Sequence, residues 1–215
     1  MGIVIELQKQ AIDTDSDVVS LLRKAYLVAR KLDIKDFEEW INSELNGYTD
    51  YDKIPDYREI RGQVKAWNPY HGWIPVIIQE REYEDVLSTR KVFDSIPSLY
   101  NAICNIESQT LTYSFDGSTL AALCRMTHHN TNYQLHFSKS AIVDIIEQVK
   151  NKILDWALLL EENGIVGENL QFSVEEKETV KNVPQITNYV NNFFGDVKDS
   201  QIQEGSKDSS QIMGQ

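Results

Sequence analysis

One apolar stripe constrains this chain more than any other feature. After Ser138, the residues Ile142, Ile145, Ile146, Val149, Ile153, Trp156, Ala157 and Leu160 recur at three- and four-residue steps. That spacing places side chains on a single face of an α-helix. It predicts a helix of about six turns, capped by Ser138 and stopped before Gly164. A helix this long with one apolar face needs other elements laid along it, so it is expected to be the spine of the fold.

The same period governs the first 47 residues. A short helix is predicted near 3–11. After the polar cluster Asp13, Thr14, Asp15 and Ser16, a helix of about four turns carries Val18, Leu21, Leu22, Ala25, Val28, Ala29 and Leu32. A third helix is expected to start near Asp33, its carboxylate accepting first-turn amides, and to run through Phe37, Trp40, Ile41, Glu44 and Leu45 to Gly47.

Between these helical ends the period falls to two. The runs 57–67 and 72–79 read as strands joined by a turn at Asn68, Pro69, Tyr70 and His71. Gly62 is expected to form a bulge and Pro75 to mark an edge strand. A helix from Asp94 or Ser95, a strand over 109–115, a helix over 119–126 and a strand over 132–137 follow. The expected product is a small antiparallel sheet with helices on one face. Beyond the spine, Ser173 and Glu176 have the spacing of a capping box.

The fold class is therefore α+β, a helical bundle packed with a small antiparallel sheet and a long helix. Residues 1–181 form one domain, divided into 1–47, 48–137 and 138–181, and 182–215 form a β-prone polar tail. The segment 182–195 carries no charge before Asp196, and Lys198-Asp-Ser-Gln-Ile202 is echoed by Lys207-Asp-Ser-Ser-Gln-Ile212. Such a segment, adhesive along its backbone, suggests self-association through Val190, Phe193, Phe194, Ile202 and Ile212.

Composition then removes whole classes of function. Lys and Arg number 21 against 33 Asp and Glu, a net charge of −12 with no basic segment, so dense binding to nucleic acid or to an anionic membrane surface is disfavoured. No run reaches the roughly 18 apolar residues of a membrane span, and the first residues lack a leader pattern. The expectation is a soluble, cytoplasmic chain. Cys104 and Cys124 are read as buried, reduced thiols, and the adjacent His128 and His129 with His136 have no metal-ligand spacing. Neither a phosphate loop, a nucleotide fingerprint nor a nucleophile elbow is present, so no cofactor or metal is expected.

One constellation stands out. Glu44, Asn46 and Tyr48 end the third helix, and Tyr57 and Arg58 open the next segment after Pro55. A carboxylate, an arginine and two phenols suit helix termination and an ion pair. They also suit acid–base work at Glu44, Tyr57 and Arg58, with Asn46 and Tyr48 binding a ligand.

The stretch LLRKAYLVARKLDIKDFEEWINSELNGY, then IPDYREIRGQV, resembles the AbiTii domain of bacterial abortive-infection phage-defence proteins, with its ELNGY helix end and PxYR strand. KNKILDWALLLEENGIVGENLQFSVEEK and GDVKDSQIQEGSKDSSQ are similar to later parts of longer members. The resemblance implies defence through host growth arrest or death, without an agreed catalytic mechanism. The leading expectation is a self-associating sensor or effector module, partnered by further copies of itself and by a co-encoded defence protein or a phage component. The rivals are a hydrolytic toxin using the Glu44–Arg58 cluster, and a nucleic-acid binder gathering Arg58, Arg61, Lys65 and Arg81 on one face.

Overall fold

A computed structural model describes residues 2–193. Three helices open the chain: α1 (Ile3–Ile12), α2 (Val18–Leu32) and α3 (Lys35–Asn46). The Asp17 carboxylate caps α2, accepting from the amides of Val19 and Ser20, both at 3.1 Å. Asp33 does not cap the next helix. It sits at φ 60° as the left-handed residue ending α2, its amide on the Ala29 and Arg30 carbonyls, while its carboxylate pairs with Lys35 at 2.9 Å. α3 starts after Ile34, without a side-chain cap.

Single 3-10 turns at Tyr51–Lys53 and Asp56–Arg58 lead to β1 (Glu59–Arg61), β2 (Gln63–Asn68) and β3 (Gly72–Pro75). The PxYR residues thus form a turn ahead of the strand rather than the strand itself. Gly62 interrupts the run as expected, its amide leaving for the Ser88 carbonyl at 2.8 Å. Next come α4 (Arg81–Ser88) and β4 (Thr89–Lys91), which no sequence pattern announced, then α5 (Ile96–Asn105), β5 (Thr110–Ser114), α6 (Gly117–Thr127) and β6 (Tyr133–Ser138). β1 pairs with β4, and four antiparallel strands follow the order β3-β2-β6-β5, with Val64 opposite Leu135 and Leu111 opposite Phe137. β3, which carries Pro75, lies at an edge.

The spine is α7 (Lys139–Glu162), with Ser138 accepting the Ser140 amide at 3.2 Å. Its buried face meets α1, α2 and α5. The rings of Phe37 and Trp156 stack with centroids 4.0 Å apart, joining α3 to the spine. A second, smaller core of Val64, Leu123, Tyr133 and Leu135 lies between the four-stranded sheet and α6. The capping box forms at α8 (Val174–Asn182): the Ser173 hydroxyl accepts the Glu176 amide at 3.1 Å, and the Glu176 carboxylate accepts the Ser173 amide at 2.7 Å. Among the described residues, no helix is long and apolar enough to cross a membrane.

The segment read as β-prone is helical as far as it is described. α9 (Pro184–Thr187) is followed by a 3-10 run at Tyr189–Phe193. Ile186, Val190 and Phe193 are buried in the main core, so Val190 and Phe193 are used inside the chain and do not form an open edge. Their spacing of four and three residues is helical, and Pro184 is pre-set for a first turn. Phe194, Ile202 and Ile212 lie outside the described residues.

Candidate functional site

Trp40, Glu44 and Tyr48 stand at steps of four, which aligns them on one side of α3 and its exit. Gly47 adopts φ 91°, ψ 164°, a backbone that suits glycine, and its amide closes the helix on the Ser43 carbonyl at 2.8 Å. The Tyr48 amide then reaches the Phe93 carbonyl at 2.8 Å. Pro55 leads the 3-10 turn that delivers Tyr57 and Arg58 back to the same helix end.

There the Glu44 carboxylate is enclosed by donors. Oε1 accepts from the Tyr48 hydroxyl at 2.7 Å, the Tyr57 hydroxyl at 2.5 Å and Arg58 Nε at 3.1 Å, and Oε2 accepts from Arg58 Nη2 at 2.5 Å. The other arm of the guanidinium, Nη1, donates to the carbonyls of Val92 at 3.0 Å and Asp94 at 2.7 Å. Trp40 Nε1 donates to the Tyr57 hydroxyl at 2.8 Å. Both charged side chains are 0% exposed. Arg58 thereby ties the end of α3 to the residues between β4 and α5, a tie that its own carbonyl completes by accepting the Val92 amide at 2.9 Å.

Electrostatics follows the enclosure. Burial, then the Glu44 carboxylate, pushes the Tyr48 and Tyr57 hydroxyls well above the ordinary tyrosine range. Burial works against the charge of Arg58, but the Glu44 carboxylate more than offsets it, and the guanidinium is held above its usual value. Lys152 on α7 lies with its ammonium 4.9 Å from the Tyr57 ring centroid and 4.1 Å from that of Phe193, and burial lowers its pKa.

The structure thus brings Glu44, Tyr48, Tyr57 and Arg58 together and leaves Asn46 out. Asn46 is exposed, its amide donating to the Asn42 carbonyl and Oδ1 at 3.0 and 2.9 Å. Trp40, Lys152 and the carbonyls of Val92 and Asp94 belong to the cluster without having been singled out from the sequence. The four-residue step from Trp40 to Glu44 was a local signal for the first. No local signal reaches the others, which lie far along the chain.

The remaining candidates are dispersed. Arg58 is in the core and cannot join a surface with Arg61, which pairs with Asp85 at 2.8 Å, or with Lys65 and Arg81. His128 ends α6 at φ 58°, His129 is exposed, and His136 lies on β6 with its ring 5.3 Å from that of Trp73. Among the described residues, no group of three or more His, Cys, Asp or Glu side chains could hold a metal ion. Cys104, expected to be buried, is exposed on the outer side of α5, and Cys124 is half-buried.

Comparison with known proteins matches residues 2–185 to the AbiTii family. No curated relative and no solved structure matches the chain. The match covers the ELNGY helix end, the PxYR turn, the sheet and the whole spine, and on that extent the chain belongs to the AbiTii family.

Proposed function

We propose that this protein serves abortive-infection phage defence as a recognition and effector module whose Glu44–Arg58 cluster holds the fold together instead of carrying out a reaction. Membership of the AbiTii family points to abortive infection. The observation that carries the mechanistic half is the enclosure of Glu44, whose carboxylate has 0% exposure and four hydrogen bonds. A general base must reach its substrate's proton, and an unoccupied arginine edge is needed to bind an anion. Glu44 and Arg58 are fully buried, and four of the five guanidinium N–H groups are already engaged, which leaves no free edge.

Self-association belongs to the same proposal. It is carried by residues 194–215, with Phe194, Ile202 and Ile212, since Val190 and Phe193 are engaged within the core. A further copy, a co-encoded defence protein or a phage component is the partner class.

Phage challenge of a host expressing the chain tests the reading. Tyr57→Phe removes one donor from Glu44 while keeping the ring, and it is expected to retain both folding and protection. Glu44→Gln and Arg58→Ala should lose protection only to the extent that they lose folded protein. A Glu44→Gln chain that melts like wild type yet gives no protection would establish the enzymatic reading instead. Light scattering of the full chain against one ending at Phe193 tests association: equal masses would remove residues 194–215 from that role.

A further inference from the structure

Val92 and Asp94 also line a cleft of about 540 Å³, bounded by β4, α5, β5 and the start of α7. Well-packed interiors contain few voids larger than a water molecule, and small-molecule sites usually span about 300–1,000 Å³. Its floor is apolar: Ile60, Val92, Leu99 and Ile142 are all buried. Ala102 and Ile106 of the α5 segment form an exposed rim.

Three charged residues also line the cleft, Arg90, Lys91 and Asp94. Lys91 is committed elsewhere, its Nζ 2.9 Å from the Ile54 carbonyl and 3.6 Å from the Asp56 carboxylate. Arg90 is different. Its guanidinium carbon lies 3.4 Å from the centroid of the Tyr113 ring, and no carboxylate among the described residues pairs with it. A guanidinium that uses its face on an aromatic ring keeps its in-plane N–H groups free for a planar anion. On a chain of net charge −12, the two cations of this cleft outnumber its single carboxylate, that of the exposed Asp94, and half-buried Arg90 has no acidic partner among the described residues.

We infer that this cleft binds an amphipathic anion, an unbranched apolar chain ending in a carboxylate, with the chain over Ile60, Leu99 and Ile142 and the carboxylate on the edge of Arg90. The floor offers apolar surface, so a ligand rich in polar edges would bury them unpaired. A single head group matched to one arginine, followed by a plain hydrocarbon, buries no unpaired polar group of the ligand. The inference goes beyond the defence role and does not rest on it, because it is read on the purified protein.

Calorimetric titration of the full chain with decanoate, decanol and acetate tests it. Decanoate should bind saturably at one site, decanol about tenfold more weakly, and acetate not measurably. Arg90→Gln should weaken decanoate by about tenfold and leave decanol unchanged. Ala102→Trp, which fills the cleft from its exposed rim, should abolish binding of both while melting like wild type. If that variant does not fold, Ile106→Glu, which adds a repelling carboxylate at the rim, should weaken decanoate alone. The inference is overturned by absence of saturable decanoate binding, by decanol binding as tightly as decanoate, or by binding indifferent to Arg90→Gln.

Discussion

A carboxylate withdrawn from water loses solvation worth several kcal/mol, and at Glu44 four hydrogen bonds replace it. Each half of the pair is therefore intolerable without the other. Glu44→Leu or Arg58→Leu alone is expected to lower stability by about 3–5 kcal/mol, because an unpaired charge remains in the core. The double variant should be less damaging than the two losses added, with a coupling of about 1–3 kcal/mol. Urea unfolding of the four proteins measures this, and additive losses would mean that the pair does not act as one unit. The meeting of Glu44, Tyr48, Tyr57 and Arg58 was legible in the sequence because a helix end, a glycine and a proline turn lie within 14 residues. The Val92 and Asp94 carbonyls were not, since they stand 34 and 36 positions beyond Arg58 and any residue supplies a carbonyl.

At the scale of elements, two positions carry tests. A Cβ on Gly62 would stand 2.6 Å from the His136 carbonyl oxygen and 2.9 Å from the Leu135 side chain, both across the β2–β6 pair. Gly62→Ala should therefore force β2 and β6 apart and lower stability by about 1–3 kcal/mol, read as a fall in thermal midpoint. An unchanged midpoint would show that the sheet yields freely there. The second is Glu176. Burial by itself raises its carboxyl, but the amides of Gly167, Ser173 and Val166 outweigh that and hold it below the usual glutamate range. A depressed carboxyl contributes stability that is present above the unfolded value of about pH 4.3 and is lost as pH falls through the folded value. Glu176→Gln should melt below wild type at neutral pH, by about 0.5–2 kcal/mol, and the gap should close in acid. A gap constant with pH would assign the effect to shape and not to charge.

For the whole molecule, the decisive element is the one that closes over α3 and α7 from the carboxy-terminal side. Phe193 meets Trp40 edge-on with ring centroids 4.9 Å apart, and Tyr189 meets Phe37 at 6.1 Å. A chain ending at Lys181 loses these rings together with Ile186 and Val190, and it uncovers Tyr57 beside the Glu44 pair. It is expected to be less stable than a chain ending at Phe193 by about 3 kcal/mol or more, roughly 6–12 °C in midpoint. Equal midpoints in a side-by-side thermal scan would show that residues 182–193 add no stability. Ile186, Val190 and Phe193, which lie beyond the boundary expected at residue 181, are buried in the main core.

The sequence by itself determined the helices and the strands whose apolar period was unbroken. α1, α2, α3, α5, α6, α7, the β2–β3 hairpin, β5, β6 and the Ser173 cap could each be read from neighbours a few positions apart, because helix, strand and cap are set by local spacing and hydrogen bonding. The tertiary structure alone decided the rest. α4 and β4 are short, and β4 is defined only by pairing Glu59 with Lys91, Ile60 with Arg90 and Arg61 with Thr89. The charge-free segment after Asn182 satisfies either strand chemistry or burial, and the apolar faces of α3 and α7 chose burial. The same holds at Glu44 and Arg58: residue types permit an exposed acid–base pair or a sealed one, and only the packing of Trp40, Tyr48, Tyr57 and the β4–α5 segment around them excludes water.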